Sequence, residues 1–193
     1  MLKLKTFYYK IFAAFIFLLI ISACSNTKFL QEGQMLYTGA KLEIKNDTLT
    51  KKEKSNLKEA LKDQLRPKPN SSFLGLRPRL YIYNITPEPK KEKGLRNWLK
   101  NKIGERPVLL GDVDREFNEK IIVNYSENKG FFNARASSDT ISKNKKAQVL
   151  YTVKPGARYL ISQVNFPIDS TTINAEIQTI KDKTFLKAGN PFD

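Results

Sequence analysis

Between residues 112 and 156 the apolar residues change from one period to another, which predicts a helix followed by strands. They first recur at every fourth position, as on one face of a helix, and then alternate with polar residues, as in half-buried strands. The helical positions are Val113, Phe117, Ile121 and Tyr125, and the alternating positions are Phe132, Ala134 and Ala136, then Val149, Tyr151 and Val153. Asp112 is placed to cap the helix and Gly130 to end it. The pattern predicts helix, strand, strand, with a polar turn at residues 142–146.

A strand and a helix are predicted before this segment. Residues 35–44 alternate, with Leu36, Ala40, Leu42 and Ile44 on one parity. Thr50 and Glu53 then have the spacing of a capping box, and Leu57, Ala60, Leu61 and Leu65 follow at helical intervals. Pro67 ends this helix because proline disfavours helical geometry in the residue before it. The order strand, helix, helix, strand, strand predicts an α+β domain.

Residues 67–104 interrupt this order of helices and strands, and their composition is typical of an inserted segment. Two polar loops flank a short strand predicted at residues 80–83. The segment then places Leu95, Trp98, Leu99 and Ile103 on one helical face, with Arg96, Lys100 and Lys102 elsewhere. This basic amphipathic pattern is typical of a helix lying on an anionic membrane. The alternative is that Trp98 packs into the domain's own core.

The first residues have the order of a secretory signal. Lysines at positions 3, 5 and 10 precede an apolar run at residues 11–21, which is shorter than the roughly 20 residues that a spanning helix needs. The run ends in Ile21, Ser22, Ala23 and Cys24, which resemble the bacterial lipobox, and Cys24 is the only cysteine of the chain. We therefore expect residues 1–23 to be a signal peptide and Cys24 to become the lipidated, palmitate-bearing amino terminus. Ser25 in place of aspartate favours sorting to the outer membrane.

Composition narrows the classes of function. The formal charge of +15 falls to +12 when the three lysines of the signal are removed, which implies acidic partners such as lipid headgroups, lipopolysaccharide or acidic proteins. Scattered lysines that merely keep the domain soluble are the alternative, and an exported chain is not expected to bind nucleic acid. The chain has no histidine, so neither a catalytic site, a metal site nor a cofactor is expected. The Asp112 and Asp114 pair lies where a helix begins and acidic residues are ordinary.

Several local motifs, in this order, resemble the POTRA domain of BamA/TamA-type outer-membrane assembly factors. They are residues 104–109 (GERPVL), 128–134 (NKGFFNA) and 149–159 (VLYTVKPGARY). With the lipobox, residues 24–30 and 70–84 also resemble the TamL-like group, the lipoprotein form of TamA.

The resemblance implies a layout for the chain. Residues 24–34 would be a lipidated linker, residues 35–156 a POTRA-like βααββ domain with an insertion at about 67–104, and residues 157–193 an incomplete second POTRA. That second domain would begin with a strand at residues 158–166 and a helix at residues 172–181. Family members continue through further POTRA domains into a membrane barrel, so the chain is expected to be an amino-terminal piece of such a protein.

The resemblance also implies a function. The domain would face the periplasm from the outer membrane and bind outer-membrane protein clients by strand addition, together with a TamB-like partner. The expected groove lies between an outer strand at residues 131–137 and the second helix of the domain, with Phe131, Asn133, Ala134, Arg135 and Ala136 as partner-binding residues. The two alanines leave room for an incoming backbone, and Arg135 has the opposite parity. The alternative is a basic outer-membrane lipoprotein that binds lipopolysaccharide or cell wall through charge alone.

We predict that the mature chain begins at a lipidated Cys24. Mass spectrometry of the membrane-extracted protein should give the mass of residues from Cys24 onward plus two or three acyl chains. A mature protein that retained residues before Cys24, or a Cys24→Ala variant that was cleaved and still partitioned with membranes, would contradict the lipoprotein assignment.

Overall fold

The computed structural model describes residues 26–166 and 172–192, and the lipobox and Cys24 lie outside these ranges. The α+β class is confirmed, and so is the order strand, helix, helix, strand, strand on either side of the insertion. The strands are β1 (Leu36–Ile44), β2 (Arg135–Lys143) and β3 (Lys146–Lys154), and the helices are α1 (Lys51–Gln64), α2 (Pro78–Ile85), α3 (Arg115–Glu127) and α4 (Thr172–Ile180). Short 3-10 helices occupy Asn26–Phe29, Leu110–Asp112 and Lys181–Lys183. A helical turn at Leu95–Asn97 continues into a π-helix at Trp98–Ile103, and together they are called the Trp98 helix.

The strands form one sheet in the order β1-β3-β2. At the two ends of the β1 and β3 pair, backbone amides donate in ascending order, from Leu36 to the Lys145 carbonyl just before β3 and from Lys45, just after β1, to the Val153 carbonyl, so these strands run parallel. β2 and β3 are joined by a two-residue turn and are antiparallel. A parallel pair needs a long crossover, and here the helices between β1 and β2 provide it.

The described residues group into two compact units. Unit 1 contains the residues up to Gly39 together with Pro67–Val113 and Thr140–Gln148. Unit 2 contains Ala40–Arg66, Asp114–Asp139 and the residues from Val149 onward. The domain bounds expected from the sequence, 35–156 and 157–193, stay predictions.

Helix α1 of unit 2 begins as the sequence predicts. The Thr50 hydroxyl accepts from the Glu53 amide at 3.3 Å, and the Thr50 amide donates to the Glu53 carboxylate at 2.9 Å. The Thr50 hydroxyl also donates to that carboxylate, and these hydrogen bonds lower the pKa of Glu53. The helix ends before Arg66 and Pro67, and its buried residues are Leu57 and Leu61.

Helix α3 of unit 2 presents a different face from the predicted one. Asp114, and not Asp112, caps it by accepting from the Phe117 amide at 2.9 Å. The buried positions are Asn118, Ile122 and Ser126, one residue on from the predicted apolar series, while Phe117 is 54% exposed. The predicted face was wrong because apolar spacing alone does not register a buried polar side chain whose hydrogen bonds are satisfied.

Asn118 is the polar centre of unit 2. Its side-chain oxygen accepts from the Arg66 amide at 3.0 Å, and its amide nitrogen donates to the Arg66 carbonyl at 2.6 Å and to the Tyr151 hydroxyl at 3.0 Å. Burial raises the pKa of Tyr151, partly offset by this hydrogen bond. One side chain thus joins the end of α1, helix α3 and strand β3.

Unit 1 contains the insertion. Its core includes Leu30, Leu36 and Leu80, with Leu109 packed against them. The strand predicted at residues 80–83 was wrong, because this stretch belongs to helix α2. Pro78 lies in the first turn of α2, where proline is favourable, and the buried Leu80 attaches the helix to the core.

The Trp98 helix leaves its aromatic residue outside the core. Trp98 is 51% exposed and Leu95 is 70% exposed, so the alternative of a core tryptophan is wrong. Lys100 is buried instead: its ammonium group donates to the Thr86 carbonyl at 3.1 Å and pairs with Glu88 at 2.7 Å. It also lies 4.7 Å from the centre of the Tyr83 ring.

The hairpin exists, but its strands are displaced from the predicted bounds. Gly130 follows α3 with φ +83°, as expected of a left-handed terminator. A turn at residues 132–133 then delays the strand predicted at 131–137, so that β2 starts at Arg135. The connecting turn is shorter than predicted, because both strands extend to Asn144 and Lys145.

After β3 the predicted helix is confirmed as α4, but the strand predicted at residues 158–166 is wrong. Within the described residues this stretch makes one isolated bridge, between Leu160 and Pro191. Backbone hydrogen bonds join Tyr159 and Ile161 to Gly130 and residues 189–192, and no strand among the described residues extends this stretch into a sheet. Separately, no helix in the described part of the chain is long and apolar enough to cross a bilayer.

We predict that Asn118→Ala lowers the free energy of unfolding by about 2–4 kcal/mol, because the Arg66 backbone groups and the Tyr151 hydroxyl lose their partner in a buried site. The matched control is Asn124→Ala, an exposed position on the same helix, which should change it by less than about 0.5 kcal/mol. Urea unfolding followed by circular dichroism gives both values. Equal effects would show that the network adds no stability.

Candidate peptide-binding edge

Strand β2 lies at the outside of the sheet. Its one neighbour in the sheet is β3, and among residues 26–166 and 172–192 no strand pairs with its other side. The outer side of an edge strand carries a row of backbone donors and acceptors that another chain can use. The half of β2 in unit 2, Arg135 to Asp139, is the candidate site.

The hairpin turn decides which residues direct their backbone outward. Asn144 and Lys145 have φ of +51° and +56°, the left-handed pair of a two-residue type I′ turn. Such a turn makes Lys143 and Lys146 a hydrogen-bonded pair, and these pairs recur at every second residue. The amides of Arg135, Ser137 and Asp139 therefore face β3. The backbone groups of Ala136 and Ser138 face outward.

Side-chain burial agrees with this register. Arg135, Ser137 and Asp139 are exposed, whereas Ala136 and Ser138 are half-buried. The half-buried side chains lie on the same face as the buried Val149, Tyr151 and Val153 of β3. An incoming strand would thus meet the backbone of Ala136 and Ser138 beside small side chains.

Three of the five residues expected to bind a partner lie before the strand. Phe131 is buried, with the Arg158 guanidinium 5.5 Å from its ring centre, and Ala134 is also buried. The Asn133 amide donates to the Tyr159 hydroxyl at 3.3 Å. Phe131 and Ala134 therefore offer little side-chain surface. Of the five, Arg135 and Ala136 belong to β2 itself.

A cationic cavity adjoins the start of β2. Asn133 and Arg135 contribute to an open cavity of about 600 Å³ in unit 2. Its other charged lining residues are Lys45, Lys54, Lys154 and Asp47. Four cations against one carboxylate favour an anionic group. No local motif marks this cluster, because its lysines come from three separate segments.

A smaller cavity of about 260 Å³ lies between α1 and the end of α3, also in unit 2. Leu57, Ala60, Tyr125 and Phe131 supply its apolar walls, and Glu53, Lys129 and Arg158 are among its polar residues. Its composition suits an apolar side chain. The part of the chain that the structure describes contains no cluster of three or more histidine, cysteine or acidic residues arranged for a metal ion.

Comparison with known proteins gives one distant likeness. A scan against protein-family models finds no match. A search of curated proteins finds none either. Among solved structures, the chain is similar to the crystal structure of Haemophilus influenzae BamA POTRA3-5, with a TM-score of 0.25 and 15% identity over 85% of this chain and 83% of that one. A TM-score this low does not indicate a shared fold, so the fold assignment depends on element and strand order.

We predict that amide hydrogen exchange reports the register of β2. The amides of Ala136 and Ser138 should exchange rapidly, and those of Ser137 and Asp139 should be protected by hydrogen bonds to β3. NMR exchange at neutral pH distinguishes the two sets within one strand. The opposite pattern would place the edge donors at the odd-numbered residues.

Proposed function

We propose that this chain is a lipid-anchored, POTRA-type interaction module of an outer-membrane protein assembly factor, which binds extended protein segments by adding them to the outer side of β2. The observation that carries the proposal is the edge position of β2, with the backbone of Ala136 and Ser138 directed away from β3. The βααββ order, with β3 central, is the arrangement that the sequence resemblance implies. No catalytic residue is needed for this activity.

Recognition through backbone hydrogen bonds suits clients of varied sequence, because the contacts do not depend on side-chain identity. The small residues Ala136 and Ser138 leave the edge accessible. The sequence resemblance adds three further parts to the proposal: attachment to the outer membrane through Cys24, a position facing the periplasm, and a TamB-like partner. No described residue identifies the surface for that partner.

We predict that Ser138→Pro weakens peptide binding about tenfold relative to Ser138→Ala. Proline removes an outward amide, and one hydrogen bond of this kind contributes about 1–1.5 kcal/mol. The probe is a synthetic end-capped peptide of alternating valine and serine, titrated by NMR. Because the Ser138 amide does not bond β3, both variants should keep the wild-type circular dichroism spectrum.

Equal affinity for the two Ser138 variants, or chemical shift changes confined to the Trp98 helix, would exclude this edge. Arg135→Pro is not a suitable test, because the register directs the Arg135 amide toward β3 and the substitution would disturb the hairpin itself. Arg135→Ala is a useful control, since an uncharged peptide should bind it within about twofold of wild type.

A second candidate function is binding of an anionic envelope surface such as lipopolysaccharide. The observation that favours it is the cavity lined by Lys45, Lys54, Arg135 and Lys154. Lipopolysaccharide binding that fell steeply with added salt and was unchanged by Ser138→Pro would support this candidate, because exposed charges are screened whereas backbone pairing is not.

A further inference from the structure

The Trp98 helix presents an apolar surface that unit 1 does not cover. Leu95 is 70% exposed and Trp98 is 51% exposed, next to each other on one side of the helix. An exposed tryptophan beside an exposed leucine is unfavourable in water, but it is a common arrangement at a membrane interface, where an indole ring has both apolar and polar surroundings.

Basic residues surround this apolar surface. Lys90, Lys91, Lys93, Arg96 and Lys102 are all exposed. The first four, with Leu95, line an open cavity of about 370 Å³. Glu92 is the nearby acidic residue, since Glu88 is paired with Lys100. Five cations against one carboxylate beside apolar side chains match the chemistry of phosphate headgroups above acyl chains.

Lys100 holds this surface in place. Its ammonium group reaches the Thr86 carbonyl, the Glu88 carboxylate and the Tyr83 ring. These contacts attach the Trp98 helix and the loop before it to α2. The Asn97 side chain of the Trp98 helix also donates to the Glu92 carbonyl of that loop. The basic and apolar residues are therefore held on a folded support.

The same helix α2 holds the residues next to the lipid-attachment position. The Asn26 amide donates to the Arg77 carbonyl at 3.3 Å, and the Asn84 amide donates to the Asn26 side-chain oxygen at 3.5 Å. Phe29 packs edge-on against Tyr81 at 6.4 Å. Cys24 precedes Asn26 by two residues in the sequence.

We propose that Leu95, Trp98 and the five surrounding basic residues form a membrane-docking surface, which binds anionic phospholipid headgroups of the membrane that holds the chain. Both this surface and the residues after the anchor are attached to α2, which is about 12 Å long. A lipid on Cys24 would thus keep the docking surface close to the bilayer. The inference rests on the proposed lipid anchor, which supplies that proximity, while the charge pattern selects the headgroups.

Trp98 is the only tryptophan of the chain, so its fluorescence reports this surface alone. The experiment uses the mature lipoprotein, purified in detergent and reconstituted into vesicles that contain brominated phospholipid as a quencher. One set of vesicles is phosphatidylcholine alone, and the other is equal parts phosphatidylethanolamine and phosphatidylglycerol. We expect strong quenching and a blue shift in the anionic vesicles, with both reduced at high salt.

The test variant replaces Lys90, Lys91 and Lys93 with alanine. Its matched control replaces Lys51, Lys52 and Lys58 of α1, which are also exposed and change the net charge equally. Each basic residue near an anionic surface contributes roughly fivefold, so the test variant should lower the docking equilibrium roughly a hundredfold and the control should not. Unchanged circular dichroism shows that both variants are folded.

The outcomes separate docking from anchoring. Flotation of the chain with phosphatidylcholine vesicles shows that it is anchored by its lipid. If Trp98 of that anchored chain stays unquenched in anionic vesicles, the docking proposal is contradicted and the lipid anchor is still supported. Quenching in anionic vesicles by a Cys24→Ala chain that lacks residues 1–23, without flotation on phosphatidylcholine, supports docking without the anchor. Equal quenching of the test and control variants, or a Trp98 shift caused by the valine-serine peptide instead of lipid, would overturn the proposal.

Discussion

The hydrogen bonds of Asn118 are the interaction on which unit 2 depends. A proline at position 67 ends α1 and leaves the Arg66 backbone without a helical continuation. Asn118 supplies both the acceptor and the donor that the Arg66 amide and carbonyl need, and it also reaches the Tyr151 hydroxyl. Because these hydrogen bonds must form together, the buried amide fixes the rotation of α3 about its axis. That rotation determines which residues of α3 face the sheet.

That rotation matters for the candidate site because Tyr151 lies in β3, the strand that pairs with β2. The Val149, Tyr151 and Val153 side chains of β3 are buried, whereas the small side chains of Ala136 and Ser138 in β2 are half-buried beside an outer row of backbone groups. The φ values at Asn144 and Lys145 then decide which residues contribute that row. An exposed strand edge can pair with other chains in water unless a binding partner or the protein itself covers it. The exposed side chains of Arg135 and Asp139 disfavour such uncontrolled pairing.

In unit 1, basic side chains have two different roles. Lys100 is buried and satisfied, and it orders the Trp98 helix, while the lysines before that helix remain in solvent. The two roles come from the same basic stretch of sequence. The contacts of Lys100 attach the Trp98 helix, with its aromatic and basic surface, to α2. The short helix at Asn26–Phe29, which follows the proposed anchor, also contacts α2. Peptide capture in unit 2 and membrane contact in unit 1 would then be separate activities of one chain, each testable without the other.

Local sequence determined those parts of the fold that depend only on residues close together in the chain. The capping box at Thr50 and Glu53, the stop at Pro67, the left-handed Gly130 and the alternation of β3 follow from backbone geometry and periodicity, and so does the α+β order. Tertiary structure decided the rest. Residues 80–83 form a helix because Leu80 packs into a core made by distant leucines, and residues 158–166 stay outside a sheet because no strand within residues 26–166 and 172–192 pairs with them. The face of α3 and the exposure of Trp98 depend on partners far away in sequence, which no local pattern records, and the outward backbone of Ser138 depends on the length of the hairpin turn, which alternation alone does not determine.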